Sequence, residues 1–454
     1  MSGCGSANAG SFPVGRTILA PARAPVAGGE QALTSPPVPH SDDDFSSLLR
    51  QREFLRLWCA RVLAGAATQM TMVAAAWQMY NLTNSAWDLG LVGLLQFLPV
   101  LCFTLPAGHL ADRHHRARLI AGAQFIQLLA AAVLLVASGR GLVSRELLFG
   151  VSLLLGAART FQMPAQQALV PSLVPPHLLA RAMAMSSSGN QVAVIGGPAA
   201  AGLLFLQTGI TVYAAAVLML AGAIAAVLRL SDDRGPGHAR PDWQEMLAGL
   251  RFVWRRQVLL GAVSLDLMAV LFGGATALLP IYAKDILHVG ASGLGALRAA
   301  PAVGALVVAL LLTRFPVRTR VGALLLWSVA AYGLCMLVFG VSTSFALSMV
   351  ALALSGGADM VSVVVRQTLV QSETPPDMRG RVGAVNSMFI GASNQLGEFE
   401  SGATAALLGP VGSVVLGGGA TLLIVAGWTR LFPGLARRDR YLEDALPGVS
   451  RSST

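Results

Sequence analysis

The sequence predicts an all-α integral membrane protein with twelve transmembrane helices in two pseudo-symmetric six-helix bundles. Three observations lead there. The first is composition: 54% of residues are apolar, 12% are charged and the mean hydropathy is +0.64, whereas a soluble chain carries roughly 25% charged residues. The second is an internal echo. Eleven of the thirty-two residues from Gly156 to Ser187 recur 200 positions later without a gap, and Gly90-x-x-Gly93-Leu94 returns as Gly290-x-x-Gly293-Leu294. A fixed period marks a duplicated unit. The third is charge placement. Of the thirty-two basic residues (thirty-one arginines and Lys284), twenty-five fall in one set of alternate loops and tails, four inside helices, and only Arg140, Arg145 and Lys284 in the opposite set. Segregation by loop parity is the positive-inside pattern, which puts both termini in the cytoplasm. It also argues against nucleic acid as the reason for the +10 net charge, because basic patches that bind nucleic acid gather on one face.

Each element follows from an apolar run of about 20 residues, the length that crosses hydrocarbon. Residues 1–49 are rich in Gly, Ala, Pro and Ser, carry Asp42-Asp43-Asp44 and lack a signal-type apolar core, so they read as a disordered cytoplasmic tail. The first bundle, 50–230, holds spans at 57–80, 88–111, 117–138, 146–170, 180–206 and 209–230. The charged stretch 231–256 reads as a cytoplasmic linker between the bundles. The second bundle, 257–432, holds spans at 257–283, 291–313, 321–341, 344–370, 381–408 and 411–432, and 433–454 reads as a basic cytoplasmic tail. Pro175-Pro176 and Pro375-Pro376 each end a span and open a cytoplasmic turn, while Asn81 to Ser85 punctuates the first outer hairpin. Small residues are dense within the spans, as close helix packing in lipid requires.

The loop after span two reads Gly108-His109-Leu110-Ala111-Asp112-Arg113-His114-His115-Arg116-Ala117-Arg118. It resembles the signature between the second and third helices of the major facilitator superfamily, with His115 in place of the usual glycine and Ala117 in place of a basic residue. The resemblance implies a gating loop: Gly108 and Leu110 for close packing, Asp112 at a neighbouring helix's positive N-terminus, and Arg113 and Arg116 paired with acids. The second-half loop, Arg314 to Arg320, lacks the aspartate, so this contact is expected on one side only. In span five, Gly189-x6-Gly196-Gly197-Pro198-x3-Gly202 looks like a degraded form of the family's antiporter motif, with Ala193 where glycine is usual. There Gly197, Pro198 and Gly202 are expected to kink and pack the helix. Phe54-x-x-Leu57-Trp58, the run Ala76 to Ser85, and Pro375-Pro376-Asp377-Met378-Arg379-Gly380-Arg381-Val382 resemble the branch containing the enterobactin exporter. The resemblance covers about residues 50–435 and implies the major facilitator fold and proton-driven export.

A charge at mid-bilayer costs roughly 2.5–3.5 kcal/mol on insertion scales, so the intramembrane charges Arg61, Arg159, Asp266, Arg298, Asp359, Arg366, Glu398 and Glu400 must turn inward or pair. Arg159, Gln162 and Gln166 share one helical face at i, i+3 and i+7, and Asp359 and Arg366 share another. The repeat sets Arg159 equivalent to Asp359, and Gln166 to Arg366. Two equivalent polar faces suit helices that border one cavity. We therefore assign Arg159, Gln162, Gln166, Asn190, Arg298, Arg366 and Asn394 to a substrate cavity, and Asp266, Asp359 and Glu398 to proton coupling. Glu400, rotated about 200° from Glu398, points elsewhere. Static ion pairs that fix helix packing are the competing account.

The expected activity is secondary active transport: export of a small organic molecule, siderophore-like or drug-like, against inward proton flow by alternating access. The expected site is a bacterial-type inner membrane, with the protein acting as a monomer on a small-molecule substrate and protons within the lipid bilayer. Import or uniport on the same fold, or a non-transporting membrane sensor or scaffold, are the alternatives. No glycine-rich loop accompanies the single lysine, no metal-ligand spacing links the four cysteines, and no nucleophile–base constellation stands out. A soluble enzyme is thus disfavoured, and no cofactor or metal is expected.

Overall fold

Helix ends follow local backbone chemistry. The computed structural model describes residues 47–48, 50–205, 209–230, 243–315, 317, 319–375 and 378–441; among these the side chains of 104, 105, 108, 109, 111–113, 176, 180, 243–247, 380, 384 and 387 are not described. Helix α1 (Arg52–Thr83) stops where Asn84 turns left-handed at φ 46°, its N–H bonded back to the Tyr80 carbonyl. Helix α2 (Ala86–Arg113) starts at Ser85, whose hydroxyl accepts the Asp88 N–H at 3.2 Å, a capping bond that satisfies an otherwise orphaned donor. Helix α3 (Arg116–Arg140) ends on Gly141 at φ 67°, and α4 (Arg145–Leu173) is capped by Ser144. Then come α5 (Leu179–Phe205), α6 (Gly209–Leu228) and a short amphipathic helix, α7 (Trp243–Arg255).

The second half comprises α8 (Gln257–Gly273), α9 (Gly290–Arg314), α10 (Val321–Val341), α11 (Phe345–Glu373) and α12 (Arg379–Leu431). Helix α12 is two legs. They meet at Gly409, whose φ of 77° and ψ of 164° break the helix, a conformation glycine adopts without steric cost. Pro410 follows and cannot donate to the preceding turn.

Among the described residues, nine stretches are long and apolar enough to cross a membrane, the double-legged α12 counted as one of them. Helices α1 and α5, with 32 and 27 residues, have the length at about 1.5 Å per residue but are more polar, because each turns polar groups to a cavity. With the legs of α12 taken separately, the described residues hold twelve helices of crossing length. Leu218, Trp327, Leu407 and Leu423 lie exposed on the outside of the bundle, apolar surface suited to lipid.

Three readings from sequence change. Span seven is not one helix to residue 283: α8 ends at Gly273, Gly274 and Ala275 leave the helix, and the chain continues through a tight turn at Thr276–Leu278 to a wide π-helical turn at Tyr282–Ile286. The linker contains α7, while its residues 231–242 lie outside the described residues. The stretch after span twelve is packed as far as Tyr441. Leu435 is buried, Arg438 pairs with Glu373, and Asp439 accepts the Arg320 N–H at 3.1 Å through its carboxylate and the Val321 N–H at 3.3 Å through its carbonyl. The first N–H groups of α10 need acceptors, and this segment supplies them. The expected tails at 1–46 and 442–454 lie outside the described residues.

Within the halves, α2 packs on α4 and α9 on α11; across the seam, α2 packs on α12 and α5 on α9. Both cross-seam contacts are backbone to backbone. A Cβ on Gly402 would fall 2.5 Å from the Gly90 Cα, and one on Gly295 would fall 2.7 Å from the Gly202 Cα. One apolar cluster joins both halves, with Met79 and Tyr213 from the first and Leu278, Tyr282 and Leu294 from the second. At the end of the bundle away from the Arg52 start of α1, Tyr80 donates to the Asp285 carboxylate and Lys284 Nζ donates to Asn84 Oδ1 at 2.8 Å. This end is closed.

Candidate functional site: a polar path across the seam

Three neighbouring cavities that share lining residues run from the first half to the second. The first is bordered by α1, α3, α4 and α5, and its walls carry Arg61, Arg159, Gln162, Gln166 and Asn190. Arg159, Gln162 and Gln166 come to one wall because their spacing stacks them on a single face of α4. Gln162 is held in place by the Gln127 amide of α3, which donates to its Oε1 at 2.7 Å. Met72 borders this cavity and a narrow second one, where Gln96 of α2, Thr276, Arg298 of α9 and Glu398 of α12 meet. Thr276 and Glu398 in turn border the third, with Tyr332, Asp359 and Asn394.

Glu398 is the shared wall. The positive charges of Arg298 and Arg159 both act on it, one from each half. Gly93 of α2 makes the room: a Cβ there would lie 2.8 Å from the Glu398 Cβ and 3.0 Å from its Oε2. Glu400 faces away and accepts a hydrogen bond from Thr404, one turn on in the same helix, at 2.8 Å.

The break in span seven lines this path. Leaving the helix at Gly273 and Gly274 frees their carbonyls, and an unsatisfied carbonyl in lipid costs several kcal/mol. Tyr332 donates to the Gly273 carbonyl at 3.0 Å, and the Ser401 hydroxyl donates to that of Gly274. Unwound backbone is thereby tolerated where it borders a cavity. Tyr332 and Thr276 were not singled out from sequence. The adjacent Gly273-Gly274 pair is the local signal that could have flagged the break.

Two assigned residues stand apart from the path. Arg366 and Asp266 form a salt bridge, each almost fully buried, and neither borders the three cavities. Sharing a face with Asp359 places Arg366 about two turns, or roughly 10 Å, deeper along α11. At that depth α11 meets α8, and the guanidinium is taken by Asp266. The Arg366 Nε has no hydrogen-bond partner.

Among the loop residues, Arg116 donates to the Ala168 carbonyl at 2.8 Å, meeting the negative end of α4. The Leu110 carbonyl accepts the His114 N–H at 3.0 Å. Gly108, Asp112 and Arg113 all lie in α2, and the side chains of Asp112 and Arg113 are outside what the structure describes. In α5, Gly197 faces α1, where a Cβ would lie 2.7 Å from the Gln69 Cβ. Gly202 and the Pro198 carbonyl face Gly295 of α9.

Relatives of known kind match over this whole architecture. The enterobactin exporter EntS of Citrobacter koseri is 26% identical over 404 residues, covering 86% of this chain and 95% of its own length. Its counterpart in Escherichia coli O1:K1 / APEC is 27% identical over 390 residues, covering 84% and 92%. Among solved structures, the nucleoside transporter NupG superposes with a TM-score of 0.63 at 14% identity, over 84% of this chain and 99% of that one. A bacterial homologue of the human lysosomal transporter Spinster, in an inward-facing, unoccupied conformation, gives 0.64 at 15% identity over 85% and 96%. The structures speak for the fold alone. The family model described as transmembrane secretion effector matches residues 45–440, and the chain therefore belongs to that family of major facilitator transporters.

Proposed function

We propose that the protein exports a small organic molecule, siderophore-like or drug-like, in exchange for protons. Both termini face the cytoplasm of a bacterial-type inner membrane, and the monomer is the working unit. The observation that supports this most directly is Glu398, a half-buried carboxylate at the seam that borders two of the cavities, under the charges of Arg159 and Arg298 from opposite halves. Rocking of the halves changes its surroundings, so its proton and the access state are linked. Asp359, in the same path, is the second carrier. Asp266, tied to Arg366, enters the cycle only if that pair opens. The closed end at Tyr80 and Asp285 corresponds to a state that loads from the cytoplasm.

The test uses purified protein in liposomes with an imposed pH gradient, loaded with the metabolite extract of cells that lack the protein. Efflux of particular compounds driven by the gradient, and lost in the Glu398→Gln protein, is the expected result. Flux of those compounds that ignores the gradient would point to uniport and overturn the coupling.

A further inference from the structure

The path separates charge by half. Among the described residues, the first cavity carries Arg61 and Arg159 with no carboxylate on its walls, the third carries Asp359 and Glu398 with no basic residue, and the joining cavity holds one of each, Arg298 and Glu398. We infer that the site selects a dipolar cargo and holds it in one orientation: an anionic or acceptor-rich end in the first-half cavity, and a cationic or hydroxyl donor end against Asp359 and Glu398. This deepens the exporter reading and rests on it.

The sign of coupling gives an independent reason. An anion seated on Arg159 and Arg298 takes away the countercharge of Glu398, so anion and proton would bind together and travel the same way. Antiport needs the opposite: cargo must leave when the proton arrives. A donor end bonded to ionised carboxylates meets that need, since proton and donor compete for the same oxygens. Around Glu398, α4 and α9 contribute Arg159 and Arg298, the third cavity adds Asp359 of α11 and Tyr332 of α10, and α2 and the span-seven break contribute only the uncharged Gln96 and Thr276. The two arginines balance the carboxylates only while those stay ionised or donor-bound.

The probe is a matched set of aryl-piperazine carboxylic acids: the zwitterion, its N-acyl form (anion only), its methyl ester (cation only) and the N-acyl ester (neutral). Binding to the wild-type protein in detergent is read by equilibrium dialysis, and transport in liposomes by efflux under a pH gradient. The zwitterion is expected to bind at least tenfold more tightly than the singly charged forms. In Arg159→Gln, zwitterion and ester should become equal; in Glu398→Gln, zwitterion and N-acyl form should become equal; Arg159→Lys should restore part of the difference. Equal binding across the wild-type set, preference for the anion alone, or no binding of the zwitterion overturns the inference. Gradient-driven export of other compounds alongside such a result would leave the exporter reading standing. Absence of any gradient-driven flux, from these probes or from metabolite extract, would remove that reading itself.

Discussion

Lys284 Nζ donates to Asn84 Oδ1 at 2.8 Å, and the two residues lie one repeat length, 200 positions, apart. Positions related by a two-fold axis can touch only where the axis passes between them. The contact therefore marks the pseudo-axis at the closed end of the bundle. Lys284 also lies over the Tyr80 ring, 5.1 Å from its centroid, so one side chain joins both halves at the point about which they are related.

This contact is expected to favour closure of that end without dominating it. Exposed polar contacts contribute about 0.2–1 kcal/mol, so Lys284→Met should raise the population open at this end by up to about fivefold. Spin labels at Leu82 and His288, both exposed, would report a longer separation. An unchanged distance distribution would show that the lysine does not hold the halves.

The glycine crossings should be less forgiving. Gly402→Ala places a Cβ 2.5 Å from the Gly90 Cα, and the only relief is to move the two helices apart. We expect transport to fall more than tenfold in a folded protein whose closed end has loosened. Gly122, where a Cβ would meet nothing within 4 Å, is the control; Gly122→Ala should leave transport intact and stabilise α3 by about 0.5–1 kcal/mol. Thermal melts together with labelling of an engineered cysteine at the seam would separate unfolding from loosening.

Asp266 and Arg366 should behave as a structural pair. Removing one partner of a buried ion pair costs about 3–5 kcal/mol, whereas replacing both with well-packed apolar residues is often neutral. Arg366→Met alone should sharply lower the melting temperature, and Arg366→Met with Asp266→Leu should recover most of it. If the double variant still responds to a pH gradient, Asp266 carries no proton in the cycle. Loss of that response in a stable double variant would return it to the coupling path.

Glu398→Gln should split two modes of transport. The amide keeps the volume beside Gly93 and mimics the protonated acid, so at saturating cargo, where weaker binding of the donor end does not limit, exchange of labelled for unlabelled cargo should persist within a few-fold. Acceleration by a pH gradient should be lost. Loss of both at saturating cargo would mean that Glu398 is needed for folding or for the conformational change itself rather than for coupling.

Much of this was legible in the chain, and what was not had a common cause. Hydropathy located the spans, and helical phase separated Glu398 from Glu400, because both are properties of one segment. The break after Gly273 was not legible. The apolar run continues through it, and the hydroxyls that stabilise it come from Tyr332 and Ser401, 59 and 127 residues further on. The fate of Arg366 was hidden for the same reason: phase gives the face of a helix but not which neighbour crosses it at each depth. The second-half loop does lack its own aspartate, yet the nearby helix start finds a carboxylate in Asp439.

That last bond also sets an order of assembly. The N-terminus of α10 receives its acceptor from a residue 119 positions later, beyond both legs of α12. Domains generally form N-terminal first as the chain emerges from the ribosome. The first bundle has its partners as soon as α6 is inserted, whereas the second stays unfinished at the start of α10 until the segment around Asp439 has been made. In that interval the nascent protein presents one complete bundle and one that is loose, and the second is where membrane quality control would find its target.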